Sequence, residues 1–467
     1  MSRKPGIAII GGGWAGLAAA VRATQAGKSV TLFEMAGHLG GRARGVTVGT
    51  RDLDNGQHIL IGAYTRTLDL MRSVGVDIDA VLHRQPLELR YPDGRGLRMP
   101  TGHPIMAFVR GVAGCKGWGM RERSAVLSAA GQWWAAGFRC PPGTTVAQLC
   151  AKLPPAVREL LIDPLCVAAL NTPAEHASAQ VLLTVLRDAL FSGKGSADLL
   201  LPKRPLDALL PHPAHAWLQA KGARLLFNRR VQTLQNNDSG WKVDGEAFAQ
   251  VVLACTPTEA AKLAQPHAAG WAERAQALTY EPIITVYLYC PGAKLPSPMM
   301  ALVESSTAPA QFAFDHGALG ASPGVFAFVV SGARRWADAG LEATGRAVRL
   351  QALASFAQGT WAKGAGAPEV LKVLVEKRAT FRCTPTLDRP PAAVAPGLVA
   401  AGDYVAGPYP ATLEGAVRAG EAAVRLLAEH ASAPPKPAPV PLSAPLSAPL
   451  SAPLSAPVPS PTVNANP

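Results

Sequence analysis

The chain has 467 residues, enough for two domains, and 48% of them are hydrophobic while only 16% are charged. A charged share of about 25% is typical, so this composition is that of an unusually apolar globular protein and excludes a disordered one. The formal net charge is +13, and every apolar run is broken before the roughly 18 residues of a membrane span, so we expect no transmembrane helix.

The N-terminal segment predicts a βαβ unit with a nucleotide-binding turn. In chain order it contains strand Ile7–Ile10, a turn with Gly11, Gly13 and Gly16, a helix from Leu17 to Ala26, strand Ser29–Phe33 and the acid Glu34. Trp14 and Ala15, within the turn, are further candidate cofactor contacts. In such units the glycines make a tight turn, let the backbone approach a pyrophosphate and allow close helix packing. We expect Glu34 to accept hydrogen bonds from ribose hydroxyls. The alternative is a turn without a ligand; a signal peptide is disfavoured because three glycines would disrupt its apolar helix.

A second glycine-rich loop follows this unit directly and contains Gly41, Arg42 and Arg44. Guanidinium groups can bind two phosphate oxygens at once, so both arginines are candidate ligands of a dinucleotide. A unit that binds NAD needs no second loop of this kind. For either arginine alone, the alternative is a solvated basic turn.

The polar stretch from Asp54 to His58 has the residue types of an active-site loop. Gly56 permits close approach of the backbone to a flat ring, and Gln57 and His58 offer hydrogen-bond donors. A histidine titrates near neutral pH, so His58 could protonate a leaving hydroxyl group. The alternative is that His58 bonds a backbone carbonyl and only packs.

Basic and aromatic residues are interspersed between residues 83 and 139. This segment has nine Lys/Arg and three Asp/Glu, together with Phe108, Trp118, Trp133, Trp134 and Phe138. Such a mixture suits a surface that lies on anionic headgroups, although the tryptophans could equally belong to the core. Residues 1–150 carry 18 Lys/Arg against 9 Asp/Glu, but no nucleic-acid-binding motif accompanies this excess, so we expect no nucleic acid partner.

The rest of the chain predicts further strands, a last helix and a tail. The predicted strands lie at 224–227, 231–234, 241–243, 251–254, 283–289, 325–330 and 398–401, and the helix at 412–428. After Ala433, 12 of the last 34 residues are Pro, which predicts disorder. The seven Cys residues include no CxxC pair, so we expect neither a disulfide framework nor a metal site. We therefore expect the protein to be located in the reducing cytoplasm.

Taken together, these motifs resemble the FAD-dependent amine oxidase and phytoene desaturase superfamily, in which a glycine turn, a terminal Glu and a Gly-Gly-Arg loop occur in this order. Residues 400–403 and 414–420 resemble its second FAD segment, and Val231 matches a valine whose backbone binds adenine. The resemblance implies FAD as cofactor and a last helix directed at the flavin ring. By this match, further FAD contacts fall on Gly402, Asp403, Thr412, Leu413 and Gly415.

Residues 54–64 and 402–415 resemble more particularly the hydroxysqualene dehydroxylase branch of hopanoid biosynthesis. This resemblance implies that hydride from reduced flavin replaces the hydroxyl of hydroxysqualene, giving squalene. The candidate catalytic residues are His58, Gln57, Asp54 and Tyr409. The alternatives are a carotenoid or isoprenoid desaturase, an amine oxidase, or a non-enzymatic protein that binds flavin or membranes.

The predicted fold is α/β, with a split GR2-type Rossmann FAD-binding domain, a substrate domain of mixed sheet and helices, and a disordered tail. The FAD-binding parts are residues 1–85, 224–265 and 391–430; the substrate domain comprises a helical part, 86–223, and a sheet, 266–390; the tail is 431–467. We expect a hydrophobic isoprenoid substrate, peripheral attachment to the inner face of the cytoplasmic membrane, and an upstream squalene-pathway synthase as a candidate partner.

Overall fold

The computed structural model describes residues 6–237, 240–357, 361 and 367–432. The described residues up to Ala431 form one compact unit. From residue 433 onward, the Pro-rich tail predicted from the sequence lies outside the described residues, while residues 431 and 432 belong to the last helix.

Strands occur along the whole described chain. They are β1 Ile7–Ile10, β2 Val30–Phe33, β3 Gly45–Val48, β4 Arg51–Asp54, β5 Leu60–Ile61, β6 Leu82–Gln85, β7 Glu88–Arg90, β8 Gly96–Arg98, β9 Leu199–Pro202, β10 Arg224–Leu226, β11 Leu234–Asn237, β12 Gly240–Val243, β13 Glu246–Phe248, β14 Gln250–Leu253, β15 Tyr280–Tyr289, β16 Met299–Ala301, β17 Phe312–Asp315, β18 Val325–Val330, β19 Glu369–Phe381, β20 Ala393–Ala395 and β21 Leu398–Ala400.

Helices dominate the stretch between residues 100 and 220. They are α1 Trp14–Gln25, α2 Thr65–Ser73, α3 Ile78–Val81, α4 Pro104–Ala113, α5 Met120–Ala135, α6 Val146–Leu149, α7 Pro155–Val157, α8 Asp163–Leu170, α9 Ala179–Phe191, α10 Leu206–Leu209, α11 Pro211–Ala220, α12 Pro257–Ala264, α13 Ala269–Gln276, α14 Arg334–Ala339, α15 Leu341–Ser355 and α16 Leu413–Ser432, with a π-helical turn, Arg158–Ile162, between α7 and α8.

A six-stranded sheet is assembled from three separate parts of the chain, in the order β10-β2-β1-β14-β21-β20. Its strands run parallel except for β20, which pairs with β21 in the antiparallel direction. All residues of β1 and β2 are buried, as expected for a parallel sheet covered on both faces. This is the split α/β arrangement that the sequence predicts.

A second sheet contains five antiparallel strands in the order β16-β17-β18-β15-β19. Its strands β15 and β18 include the apolar runs 283–289 and 325–330 that the sequence marks as strands, and every residue of β18 is buried. Strands β16, β17, β19 and β20 are not predicted from the sequence. The domain boundaries stay a prediction.

One predicted strand begins later than expected. The sequence places a strand at 231–234, but β11 begins only at Leu234. The backbone N–H groups of Gln232 and Thr233 instead donate to Asp244 Oδ1, both at 2.9 Å. Because these donors are bound by a side chain, they do not join a sheet ladder, and Val231 lies in an irregular segment.

Candidate active site

A cavity of about 420 Å³ joins the carboxyl ends of the parallel strands to the second sheet. Most of the candidate cofactor and catalytic residues line it. They are Gly11, Gly13, Trp14, Ala15, Glu34, Gly41, Arg42, Gly56, Gln57, His58, Val231, Gly402, Asp403, Thr412 and Leu413. Five candidates do not line it. Three of them, Gly16, Arg44 and Gly415, are candidate cofactor contacts, and two, Asp54 and Tyr409, are candidate catalytic residues.

The turn between β1 and α1 requires glycine for reasons visible in the structure. Gly11 has a φ of +113°, and a Cβ there would lie 2.6 Å from Ala254 O. At Gly16 a Cβ would lie 1.9 Å from Gly11 O, so this residue brings α1 against the turn and does not face the cavity. Gly13 has open space around its Cα, and no side chain caps α1. The unpaired N–H groups of this helix end therefore form a cradle for an anion such as a pyrophosphate.

Glu34 directly follows β2 and lies at the wall of the cavity, with 8% of its surface exposed. Its two carboxylate oxygens accept the N–H groups of Gly12 at 2.7 Å and Ala36 at 2.8 Å. Each oxygen keeps a further lone pair, so the carboxylate can still accept from ribose hydroxyls. Arg229 and Arg230 line the cavity too. No motif marks these two arginines in the sequence, because they lie in an irregular segment.

Arg42 binds protein groups in the structure. Its Nη2 donates to both carboxylate oxygens of Asp403 at 2.7 Å, and its Nη1 donates to Ala379 O at 2.6 Å. Burial disfavours the charged guanidinium, but Asp403 outweighs this effect, so the pKa of Arg42 is raised. The sequence predicted that Arg42 binds two phosphate oxygens, whereas in the structure it binds the two carboxylate oxygens of Asp403. This contact links the first and last parts of the FAD-binding fold. Arg44 donates to Gly45 O at 3.2 Å, away from the cavity.

The last helix, α16, begins at the cavity. Thr412 Oγ1 accepts the Gly415 N–H at 3.0 Å and so caps the helix, which is why the helix starts at Leu413. Gly415 is a packing residue, since a Cβ there would lie 3.2 Å from Pro410 O. Glu414 belongs to the predicted second FAD segment, but no sequence signal indicated its contact with α2. It accepts the backbone N–H groups of Arg66 at 3.1 Å and Thr67 at 2.8 Å, and thereby fixes the start of α2.

Two candidate catalytic acids lie outside the cavity. Asp54 is 4% exposed, and its Oδ1 accepts the Leu206 N–H at 2.8 Å. Burial raises the pKa of Asp54 to about 7, so it can hold a proton, but it cannot reach a ligand in the cavity. Tyr409 donates its hydroxyl to Asp188 Oδ2 at 2.7 Å, in a separate pocket of about 40 Å³. Neither side chain lines the cavity, because Asp54 binds the backbone at the start of α10 and Tyr409 binds Asp188; their roles in catalysis stay predictions.

His58 and Gln57 lie at the wall of the cavity. His58 Nδ1 is 2.7 Å from Gly56 O, and because a carbonyl only accepts, Nδ1 carries the proton and Nε2 is the free nitrogen. Burial lowers the pKa of His58, with a further lowering by the charge of Arg42, so the ring is neutral at pH 7. The Gln57 side chain is 3.0 Å from His316 Nε2, a partner that nothing in the sequence indicated.

The end of the cavity beyond this loop is largely apolar. It is lined by Val167, Ala168, Ala169, Ile283, Phe312, Phe314 and Val329, with Asn171, Thr285 and Ser331 as polar neighbours. These residues come from α8, the segment after it and the second sheet. Sequence reasoning did not identify them because apolar residues in a strand look the same whether they face a core or a ligand. This wall suits a hydrophobic ligand.

Residues 14–428 match the family model described as flavin-containing amine oxidoreductase. The chain belongs to this family. FAD is its cofactor, and the glycine cradle, Glu34 and the free end of α1 fit the pyrophosphate and ribose of that molecule. The chain is thus an FAD-dependent oxidoreductase, and the predicted family and cofactor are confirmed.

The chain is also similar to individual proteins over nearly its whole length. It is 27% identical to the hydroxysqualene dehydroxylases of Sinorhizobium fredii and of Rhodopseudomonas palustris, in each case over 90% of this chain and 97% of the relative. Among solved structures it is similar to an oxidoreductase of Methanosarcina mazei, with a TM-score of 0.69, 15% identity and coverage of 90% of this chain and 99% of the other. The structural similarity confirms the predicted fold class.

Two further features concern the described residues as a whole. Within 6–237, 240–357, 361 and 367–432, no helix combines the length and apolar character that crossing a bilayer requires. Over the same ranges, His, Cys, Asp and Glu side chains do not gather in a group that could hold a metal ion.

Proposed function

We propose that this flavoprotein reductively dehydroxylates hydroxysqualene to squalene. The observation that carries the proposal is the composition of the cavity wall, which combines the apolar residues Phe312, Phe314 and Val329 with the polar loop from Gly56 to His58. This arrangement suits a long hydrocarbon with one hydroxyl. The names of the relatives, which are similar along nearly the entire chain, support the same substrate.

Each part of the site has a role in this reaction. Bound FAD in its reduced form supplies the hydride that replaces the hydroxyl. The residues of the apolar wall hold the isoprenoid and exclude water, which strengthens electrostatic interactions at the reacting carbon. Because hydroxide is a poor leaving group, the hydroxyl must depart as water, which requires a proton and a donor that contacts its oxygen.

His58 is the residue of the loop that can deliver this proton. Its Nδ1–H is committed to Gly56 O, so a second proton would be added at Nε2, the nitrogen that is free to face a ligand. Since burial lowers the pKa of His58, its imidazolium is a stronger acid than an ordinary histidine and gives up the proton more readily. Asp54 holds a proton near neutral pH but lies outside the cavity, and Tyr409 is bound to Asp188.

The direction of the reaction tests the proposal. Under anaerobic conditions, chemically reduced enzyme should convert hydroxysqualene to squalene, and deuterium introduced at the flavin N5 should appear on the former carbinol carbon. Oxidised enzyme should leave phytoene-type polyenes unchanged and should release no peroxide with amines. Turnover of polyenes by oxidised enzyme would support a desaturase, and peroxide release an amine oxidase. Bound flavin that no isoprenoid perturbs would instead indicate a non-enzymatic protein.

We further propose that the enzyme attaches peripherally to the inner face of the cytoplasmic membrane, through a surface formed by α4 and α5. This surface exposes the apolar side chains Ile105, Met106, Val109, Met120 and Trp134, the last with 65% of its surface accessible. The basic residues Arg110, Lys116, Arg121 and Arg139 are exposed in the same segment. Trp118 and Phe138 are buried, so the aromatic residues of 83–139 divide between core and surface. Exposed apolar groups beside basic ones suit anionic headgroups.

Flotation with liposomes tests this surface. Trp134→Ser and Met106→Ser together should reduce binding to vesicles that contain anionic lipid, because apolar area at the interface is lost. Leu350→Ser is the matched control, since Leu350 is 62% exposed on α15, outside the α4–α5 surface. Unchanged flotation of the double variant, or equal binding to neutral vesicles, would contradict the proposal. A synthase that forms hydroxysqualene would be the source of substrate at such a membrane.

A further inference from the structure

His316 contacts the active-site loop from outside the cavity. It follows β17, is 8% exposed, and does not belong to the lining residues. Its backbone N–H donates to Val325 O at 3.0 Å, and its backbone O accepts the Ala321 N–H at 2.9 Å. These contacts anchor His316 to the turn between β17 and β18, so its ring has a fixed position.

The contact between His316 and Gln57 has a definite polarity. Gln57 Oε1 lies 3.0 Å from His316 Nε2, while Gln57 Nε2 lies 3.4 Å from His58 O. The carbonyl of His58 can only accept, so the amide nitrogen of Gln57 must face it and the amide oxygen must face His316. His316 Nε2 is therefore the donor. Burial lowers the pKa of His316 to about 4, which keeps the ring neutral at neutral pH.

Strand β15 of the second sheet holds other parts of the loop from Asp54 to His58. Tyr287, on β15, donates its hydroxyl to Asp54 O at 2.9 Å, and its ring meets His316 edge-on with centroids 5.7 Å apart. Thr285 Oγ1 accepts the Gln57 N–H at 3.4 Å. With its backbone and its amide oxygen both held, Gln57 has one amide hydrogen for which no acceptor is found among the described residues, and its side chain lines the cavity.

We propose that His316 is a positioning residue that orients the Gln57 carboxamide, so that its free N–H donates to the hydroxyl oxygen of an isoprenoid alcohol. This inference rests on the proposed function and adds a determinant of substrate choice. Gln57 transfers no proton itself. It binds the oxygen that leaves, and so it distinguishes the alcohol from the hydrocarbon product, which offers no acceptor. Without His316, the carboxamide could rotate and present its oxygen to the hydroxyl.

Binding to oxidised enzyme tests the inference without turnover. The measurement is the ratio of the Kd for squalene to the Kd for hydroxysqualene, each read from the perturbation of the flavin spectrum. His316→Leu should lower this ratio about two- to tenfold, the range for one hydrogen bond, and should leave squalene binding unchanged. His316→Gln, whose side-chain amide reaches about as far as Nε2, should restore the ratio.

Two further variants separate positioning from a structural role. Gln57→Leu with His316→Leu should give the same ratio as Gln57→Leu alone, because His316 acts through Gln57. His267→Leu is the matched control: it also loses a histidine hydrogen bond, from Nε2 to Leu234 O at 2.8 Å, but far from the loop in sequence and outside the cavity lining. It should lower the melting temperature and leave the ratio unchanged.

The outcomes distinguish this inference from the proposed function. If wild-type enzyme neither binds nor converts hydroxysqualene, the proposed function fails. If wild-type enzyme converts it and His316→Leu keeps the wild-type ratio, the inference is wrong while the proposed function stands. If His316→Leu weakens the binding of hydroxysqualene and squalene equally, or if the two substitutions lower the ratio additively in the double variant, His316 has a structural role. Either result would also overturn the inference.

Discussion

Individual residues of the site act through the hydrogen bonds that they make. Glu34 and Arg42 are two charged residues of the cavity wall, and they differ in how much hydrogen-bonding capacity remains for a ligand. Both oxygens of Glu34 accept backbone N–H groups and keep lone pairs, whereas the guanidinium of Arg42 is bound to Asp403 and to a backbone carbonyl. Glu34 is therefore the better candidate for direct recognition of FAD, and Arg42 holds the binding fold together.

Replacing Glu34 with Ala should weaken FAD binding by roughly 1–3 kcal/mol, because ribose hydroxyls and the Gly12 N–H lose their acceptor. The Kd for FAD of the deflavinated protein, measured by fluorescence quenching, checks this. Glu246→Ala is a suitable control, since its carboxylate binds the exposed Arg224 at the surface. An unchanged Kd in Glu34→Ala would mean that Glu34 does not bind the ribose.

The protonation state of His58 gives the reaction a pH dependence. If its imidazolium is the acid, kcat/KM should rise as the pH falls through the pKa of His58, which burial lowers below its usual value. His58→Gln should keep FAD bound, slow turnover by roughly 10²–10⁴-fold and abolish this limb of the profile. An effect below tenfold with the profile retained would leave His58 as a residue that only positions the loop.

At the scale of elements, α1 depends on its close approach to the turn before it. Gly420 on α16 makes a similar approach, since a Cβ there would lie 2.2 Å from Ala15 O. The two helices thus pack against each other through small residues at the same end of α1. This packing places the N-termini of both α1 and α16 at one cavity, where Trp14 and Leu413 line it.

Gly16→Ala should displace α1, because its Cβ would lie 1.9 Å from Gly11 O, a backbone atom that cannot move aside alone. We expect lower flavin content after purification and a lower melting temperature. Gly131→Ala is the matched control: Gly131 lies in helix α5, and a Cβ there meets no atom within 4 Å. That variant should retain FAD and be slightly stabilised by the better helix propensity of Ala. Full flavin content in Gly16→Ala would contradict the proposed cradle.

For the whole molecule, the cavity brings together chain segments that lie far apart in sequence, from Gly11 to Leu413. Its lining includes one cysteine, Cys255, and one histidine, His58. Burial raises the pKa of Cys255 to about 12, so it stays a thiol and is a poor nucleophile. His58 is bound to Gly56 O.

FAD should therefore be bound non-covalently. Denaturation by acid or heat, followed by filtration, should release all of the flavin in the filtrate, with the mass of intact FAD. The mass spectrum of the protein alone should show no added flavin. Flavin retained by the denatured chain would contradict this expectation and would point to a covalent bond at one of these two side chains.

The sequence by itself determined the local parts of this protein. The spacing of Gly11, Gly13 and Gly16 between an apolar strand and a helix fixes a turn that side chains would block, and Glu34 follows at the end of the next strand. Such features depend on neighbours in the chain, so they can be predicted from the pattern. The family resemblance extended them to the second FAD segment near Asp403.

Only the tertiary structure decided which side chains meet across long separations. The pairing of Arg42 with Asp403, the exclusion of Asp54 and Tyr409 from the cavity, and the contact of His316 with Gln57 all depend on how distant segments pack. No local pattern encodes such contacts, because a polar residue near a loop looks the same in sequence whether it faces a ligand or another part of the fold. The direction in which each side chain points is set by the second sheet and by α16, far along the chain from the residues that they orient.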